Sequence, residues 1–149
     1  MSIVKVLYLP NYNKEWGPVR YNHIGDSGFD LRAALENDVI LRPSERKLIV
    51  TGIKVCLPEN TELQVRSRSG MALKMGVIVA NQPGTVDQSY TGEIGVILYN
   101  ISNYEYLVKP GDKIAQAVIA PVLYVNFEEI NEINETTRGS SGFGSTGTV

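Results

Sequence analysis

Cysteine, histidine and tryptophan occur only once each in this 149-residue chain. A single cysteine excludes an internal disulfide and a zinc site built from cysteines. A Ser-His-Asp or Cys-His nucleophile system is disfavoured, because the single His23 and the single Cys56 have nothing to pair with. We expect His23 in a surface loop, and Cys56 in the core because it lies in the apolar stretch GIKVCLP, residues 52–58.

The chain also lacks an excess of either charge and any long apolar run. Fourteen Lys and Arg against sixteen Asp and Glu give a net charge of −2, which favours neither nucleic acid nor an anionic membrane as a partner. The apolar run in MSIVKVLYLPNYNK is too short for a signal peptide and stops at Pro10. We therefore expect one globular domain in the cytoplasm, with no membrane span.

Short stretches rich in Val, Ile and Tyr recur about every ten residues, with Pro, Gly and Asn turns between them. These candidate strands are 3–9, 38–43, 46–50, 52–58, 62–67, 76–81, 92–100, 106–108 and 113–127. The spacing predicts an all-β fold, a jelly-roll-like antiparallel double sheet. One short helix is expected at SGMALKM, residues 69–75, with Ser69 as its N-cap.

The end of the chain differs in composition from everything before it. The strand pattern stops at Glu128, where a polar stretch begins. We place a domain boundary after this stretch, between a β domain at 1–135 and a flexible C-terminal arm at 136–149. The arm combines glycines and hydroxyl groups with Arg138 and Phe143. On composition it fits either a phosphate-binding cradle of free N–H groups or a disordered tail.

Three other polar stretches are open to a chemical or a structural interpretation. RSRSGMALKMG, residues 66–76, brings arginine and serine to the start of a short helix, where phosphate binds well, or it is an exposed turn. In PGTVDQSYTGE, residues 83–93, Asp87 lies at a hairpin tip between apolar strands, where it is a reactive carboxylate or a turn former. In SGFDLRA, residues 27–33, alternation places Asp30 on the polar face of a strand.

Together, five stretches resemble the trimeric dUTP diphosphatase (dUTPase) family in their order and spacing. They are SGFDLRA, RSGMALKMGV, NQPGTVDQSYTGE, PGDKIAQAVIAP and RGSSGFGSTG. The resemblance covers the chain from about Ser27 to its end. It implies Mg²⁺-dependent hydrolysis of dUTP to dUMP and pyrophosphate, which supplies a dTTP precursor and keeps uracil out of DNA. It also implies a homotrimer with shared active sites, over which the glycine-rich arm closes.

The resemblance also implies roles for single residues around the nucleoside. Asp87 falls on the hydrolytic aspartate, which orients and deprotonates the attacking water and holds the 3′-hydroxyl. Tyr90 would lie against the deoxyribose and leave no room for a 2′-hydroxyl. Asn81, with backbone groups of the 81–90 hairpin, would read the uracil edge.

At the phosphates, the resemblance implies a second group of contacts. The substrate would be bound there by Arg68, Ser69, Gly70 and Gln116, and Asp30 would meet Mg²⁺ through water. From the arm, Arg138 would pair with the γ-phosphate and Phe143 would stack on uracil. The remaining substrate contacts implied for the arm are Gly144, Ser145 and Thr146.

Two positions depart from the family pattern. Ser67 stands where the family usually has proline, and Ser89 replaces a second aspartate of the third motif. Two other functions are alternatives. The related dCTP deaminases share the fold, but that function is disfavoured because those proteins use glutamate where Asp87 stands, are longer and lack the arm. The sequence also leaves open a role as a nucleotide-controlled regulator of a protein partner.

Overall fold

The computed structural model describes residues 2–142, in which β structure predominates as the strand pattern predicts. Eleven strands occur in this part of the chain. They are β1 (Lys5–Tyr8), β2 (Phe29–Arg32), β3 (Val39–Leu41), β4 (Arg46–Val50), β5 (Ile53–Cys56), β6 (Thr61–Arg66), β7 (Val77–Val79), β8 (Gly84–Val86), β9 (Gly95–Asn100), β10 (Tyr106–Val108) and β11 (Lys113–Pro121). The helical elements of residues 2–142 are a 3-10 helix (Lys14–Trp16) and α1 (Ser69–Met75).

The strands pair antiparallel, which confirms the predicted all-β antiparallel class. One sheet has the order β2-β11-β6-β8, and a second has the order β4-β9-β7. Two smaller sheets pair β1 with β5 and β3 with β10. Because β11 lies between β2 and β6, segments that are distant in the sequence become neighbours in the four-stranded sheet.

Both larger sheets contribute to one hydrophobic cluster. In β6, Leu63 and Val65 are buried, whereas the alternate residues Gln64 and Arg66 are more exposed. The three-stranded sheet contributes Ile49, Val77, Val79, Val96 and Leu98 to the same cluster. This shared core holds the ends of the strands in a fixed arrangement.

One predicted strand is too long, and the predicted pattern lacks β8. The strand predicted at 113–127 is shorter, since β11 ends at Pro121, whose nitrogen has no hydrogen to donate to a sheet. The apolar strands that flank residues 81–90 pair as β7 and β9, as the predicted hairpin requires, but the connection between them contains β8, which pairs with β6. The chain leaves the three-stranded sheet after Val79 and joins the four-stranded sheet at Gly84.

The helix α1 forms where the sequence predicts it, but its cap differs. Arg68, with an extended backbone, is the N-cap residue, and Ser69 is the first helical residue, so the prediction of a Ser69 cap is wrong. The helix ends at Gly76, whose left-handed backbone (φ 63°) suits glycine. Neither helical element of residues 2–142 has the length and apolar character needed to span a membrane.

The solvent exposure of the single histidine and the single cysteine agrees only in part with the prediction from the sequence. His23 is exposed, as predicted. Cys56 is exposed, so its predicted place in the core is wrong. The reason is the alternation of β5, in which Ile53 and Val55 are buried while Lys54 and Cys56 lie on the other face.

Residues 122–142, which follow β11, contain neither helix nor strand. Within them, six large apolar side chains are exposed: Leu123, Tyr124, Val125, Phe127, Ile130 and Ile133. We call residues 122–133 the apolar tail segment. Such a concentration of apolar groups in water is characteristic of a surface that packs against another molecule.

The side chain of Asn100 supports the loop after β9. It is fully buried, and its amide group donates to Leu41 O at 2.9 Å and to Tyr104 O at 2.7 Å. Its Oδ1 accepts from Ser102 N at 2.9 Å and from Ser102 Oγ at 2.7 Å. Four hydrogen bonds therefore depend on one buried amide.

We expect Asn100→Ala to lower the free energy of unfolding by about 2–3 kcal/mol, because buried polar groups lose their partners. Denaturant titration at one fixed protein concentration measures this change. Asn103→Ala is the matched control, because Asn103 is an exposed asparagine of the same loop. Equal unfolding free energies for the two variants would contradict the assignment.

Candidate functional site

The sheet register places Asp30 and Gln116 side by side. Gln116 on β11 pairs with Asp30 of β2 on one side and with Arg66 of β6 on the other. Residues directly opposite each other in an antiparallel pair carry their side chains on the same face. Two residues after Arg66, the chain reaches Arg68 at the start of α1. Three of the motifs therefore meet at adjacent strands.

Asp30 is bound by three side chains. Lys113 Nζ lies 2.6 Å from Oδ2, Arg68 Nε lies 3.2 Å from Oδ1, and Asn22 donates to Oδ2 at 3.0 Å. Burial alone raises the pKa of Asp30, but the hydrogen bonds from Lys113 and Asn22 and the charge of Arg68 outweigh it. The pKa of Asp30 therefore lies below its usual value, and the carboxylate is ionised at neutral pH.

Arg68 is held from two sides. Besides its ion pair with Asp30, its Nη1 donates to the backbone carbonyl of Lys113 at 2.9 Å. These contacts occupy two of the five N–H donors of a guanidinium group, so the others can bind an anion such as phosphate.

A surface cavity of about 550 Å³ opens beside this charged cluster. Every residue predicted to act at the phosphates, apart from those of the arm, contributes to its lining: Asp30, Arg68, Ser69, Gly70 and Gln116. Amide, hydroxyl and guanidinium groups dominate this lining, which suits a charged ligand better than an apolar one. We call it the phosphate cavity.

Gln116 is fixed by its surroundings. Its Nε2 donates to Ser67 O at 2.9 Å. A Cβ atom at position 28 would approach Gln116 Oε1 to 3.0 Å and Ala117 O to 3.1 Å, closer than ordinary contact. Gly28 therefore provides the room that this arrangement of Gln116 requires.

The residues predicted to contact the nucleoside lie on or just after the segment that crosses from one sheet to the other. Asn81 is exposed, and its Nδ2 lies 3.2 Å from where a Cβ of residue 84 would be, so Gly84 leaves space for the amide. Asp87 is exposed in the turn after β8, where its carbonyl accepts from Tyr90 N at 3.0 Å. Asp87 lies in a surface pocket that Glu62, Ser89 and others also line.

Tyr90 is held in place although nearly half of it is exposed. Its hydroxyl donates to Glu93 O at 2.9 Å. A Cβ at Gly92 would overlap the ring, at 2.3 Å from the Tyr90 hydroxyl. Glu93 is itself anchored, since its Oε1 accepts from Gly52 N at 2.7 Å. The ring therefore presents a fixed face to its surroundings.

Within the described part of a single chain, the residues predicted to contact the nucleoside lie outside the phosphate cavity. Asn81, Asp87 and Tyr90 do not line the phosphate cavity, and the pocket at Asp87 shares no residue with it. Arg138 is exposed and donates from Nε to Ser141 O at 3.0 Å, within the predicted arm. The predictions for Phe143, Gly144, Ser145 and Thr146 lie outside the described residues.

Sequence reasoning missed Lys113 and Asn22. Lys113 belongs to the PGDKIAQ stretch, and its position just before a register shift between β11 and β2 brings it to Asp30. Its charge did not predict an ion pair, because a sequence does not distinguish a lysine that pairs with a carboxylate from any other surface lysine. Asn22 lies in the irregular segment before β2, eight residues from Asp30, where no periodicity predicts a contact.

The described residues form no group of three or more His, Cys, Asp or Glu side chains that could hold a metal ion. The phosphate cavity contains two carboxylates, Asp26 and Asp30. Asp26 Oδ2 accepts from His23 N at 2.8 Å. This set of donors fits an ion that obtains most of its ligands from water and substrate phosphates, as Mg²⁺ does.

Comparison with known proteins shows which family this chain resembles. The family model described as dUTPase matches residues 14–147. The deoxyuridine 5′-triphosphate nucleotidohydrolase of Clostridium novyi (strain NT) is 56% identical over 125 residues, which cover 84% of this chain and 87% of the relative. The protein of the same name from Clostridium kluyveri is 50% identical over 96% of this chain and 99% of the relative.

A solved structure shares the fold. The dUTPase of Staphylococcus bacteriophage 80alpha, solved with dUpNHpp, superposes with a TM-score of 0.82 at 26% identity, covering 99% of this chain and all of that chain. This likeness confirms the predicted jelly-roll-like architecture. The family model and the close relatives each span most of the sequence. The chain belongs to the dUTPase family.

Proposed function

We propose that this chain hydrolyses dUTP to dUMP and pyrophosphate, with Mg²⁺ as cofactor. The observation that carries the proposal is the phosphate cavity, in which Asp30, Arg68, Ser69, Gly70 and Gln116 lie together. These residues come from three separate motifs, and a purely structural jelly roll has no need to collect them. The relatives that are 50–56% identical are named for the same reaction.

The reaction requires a base, an oriented water and donors for the leaving group. Asp87 takes a proton from water as the water oxygen bonds to the α-phosphorus. The bond from this phosphorus to the bridging oxygen breaks, and pyrophosphate leaves with the electron pair. Ser69 and Arg68 donate hydrogen bonds on the leaving side, where negative charge accumulates. Gln116 donates to the phosphates.

Mg²⁺, when bound, neutralises phosphate charge and orients the triphosphate. Asp30 is the residue of this chain that would hold the ion, through water. The low pKa of Asp30 keeps it ionised for this purpose. Lys113 holds the carboxylate at 2.6 Å and so limits its orientation before substrate arrives.

The assembly we propose is a homotrimer in which the two halves of a site come from different copies. Two observations support it. Asp87 and Tyr90 lie apart from the phosphate cavity within one chain. The apolar tail segment exposes six large apolar side chains, and a neighbouring copy is the partner that would cover them in a closed symmetric oligomer. The glycine-rich arm, including Arg138, closes over bound nucleotide.

Pyrophosphate release tests the proposed reaction most directly. The wild-type chain with Mg²⁺ is given dUTP, dCTP, dTTP or UTP in parallel. We expect rapid release with dUTP and little with the other three. Deamination of dCTP without pyrophosphate release would indicate the related deaminase activity instead, and an absence of turnover with dUTP would refute the proposal.

The fixed ring of Tyr90 leads to a prediction about the sugar. We expect Tyr90→Ala to narrow the preference for dUTP over UTP, measured as the ratio of kcat/KM values, by about tenfold, because the face that excludes a 2′-hydroxyl is gone. Tyr90→Phe is the matched control, since it keeps the ring and loses only the bond to Glu93 O. An unchanged ratio in Tyr90→Ala would show that ribose is rejected elsewhere.

A further inference from the structure

Ser67 contacts three different elements. Its Oγ accepts from Val79 N at 2.8 Å, its N–H donates to Gln82 Oε1 at 3.2 Å, and its carbonyl accepts from Gln116 Nε2 at 2.9 Å. The residue is half-buried in the short link between β6 and α1. Proline, the usual residue of the family at this place, has neither the N–H nor the hydroxyl group.

The bond to Val79 satisfies an edge of the three-stranded sheet. β7 is an outer strand of that sheet, and the N–H of Ala80 already bonds to Ile97 O of β9 at 2.8 Å. Successive N–H groups of a strand point to opposite sides, so Val79 N–H points away from β9. Ser67 Oγ is therefore the group that occupies the free side of β7 and ties it to the end of β6.

The two partners of Ser67 flank Asn81 in the sequence. Val79 precedes Asn81 by two residues and Gln82 follows it directly, so the segment assigned to uracil recognition is attached on both sides. On the other side of Ser67 lie Arg68 and Ser69, which line the phosphate cavity. One serine thus joins the base-recognition part of the chain to its phosphate-binding part.

We infer that Ser67 is a positioning residue for uracil recognition, which holds the Asn81 segment rigidly against the phosphate-binding turn. This inference rests on the proposed function. When the halves of a site come from two copies, their relative geometry is only as precise as the attachment of each half to its own chain. Displacement by a fraction of an ångström weakens hydrogen bonds to a base edge, because they depend on distance and angle.

The test compares Ser67→Ala with Ser67→Thr, which keeps the hydroxyl group. kcat and KM are measured for dUTP, and dCTP is measured as a substrate or as a competitive inhibitor. For Ser67→Ala, we expect the preference for dUTP over dCTP, measured as the ratio of their kcat/KM values or of the inhibition constant of dCTP to the KM for dUTP, to narrow. The expected change is about three- to tenfold, as for a lost hydrogen bond. The change should appear mainly in KM, and Ser67→Thr should keep the wild-type preference within about twofold.

Gln82→Met provides a second variant that is independent of the Ser67 side chain. Gln82 is exposed, so the substitution disturbs the fold little, and it removes only the link to Ser67 N. We expect it to narrow the same preference. If both Ser67→Ala and Gln82→Met lower the thermal midpoint but leave the preference unchanged, Ser67 is merely structural and the inference is overturned. A wild-type chain that does not hydrolyse dUTP would instead refute the proposed function.

Discussion

Replacing Asp87 with asparagine is expected to lower kcat for dUTP by ~10²-fold or more, the usual scale for loss of a general base. The amide keeps the shape of the carboxylate but cannot accept the proton of the attacking water. Asp87 is exposed in a turn, so the substitution should leave the sheets intact. Binding of a non-hydrolysable dUTP analogue, measured by calorimetry, should change much less than turnover.

The matched control is Asp38→Asn, which removes the same charge from another exposed aspartate, in the turn before β3. This variant should keep wild-type turnover. A turnover by Asp87→Asn within about twofold of wild type would contradict the assignment, because a general base contributes far more. An equal loss in Asp38→Asn would indicate a general effect of charge.

Mixing two inactive variants is expected to restore activity if active sites are shared. Asp87→Asn removes the general base that activates the attacking water, and Arg68→Gln damages the phosphate cavity. In a closed symmetric oligomer, two neighbouring subunits contribute to every site. When equal amounts mix randomly, about one quarter of the sites take Asp87 from an Arg68→Gln subunit and Arg68 from an Asp87→Asn subunit, so both halves are intact. We therefore expect the mixture to reach about one quarter of wild-type activity, far above either variant alone.

The control for this experiment places both lesions in one chain. An equal mixture of wild type with the double variant Asp87→Asn/Arg68→Gln should also show about one quarter of the wild-type activity when sites are shared, but about one half when each chain carries a complete site. Subunits are exchanged by unfolding and refolding together. A mixture of the single variants that stays inactive while the refolded wild type recovers would contradict the shared site.

Local patterns in the sequence were sufficient to predict most strand positions, but not the order in which the strands pair within the sheets. Alternation predicted the outward face of Asp30, and the strand limits at 46–50 and 106–108 match the structure. The adjacency of Asp30 and Gln116 depends on β11 lying between β2 and β6. That order results from packing between distant segments, which no local period encodes.

The errors have the same physical origin. The apolar content of 52–58 suggested that Cys56 is buried, but only alternate residues of that strand face the core. The apolar stretches that flank residues 81–90 pair as predicted, as β7 and β9, but no local pattern predicted β8 between them, whose partner β6 is distant in the sequence. The motifs predicted residues that line one cavity, but the contacts of Lys113 with Asp30 and Arg68 required the three-dimensional arrangement.

Dilution should lower the thermal stability of this protein, because its apolar tail segment exposes Leu123 and Phe127 in a single chain. If another copy covers these side chains, association contributes to the free energy of folding, and the thermal midpoint rises with protein concentration. A cell that produces few copies would then contain a more fragile enzyme than a cell that produces many. Heat tolerance would thus be a property of the enzyme's abundance as well as of its sequence.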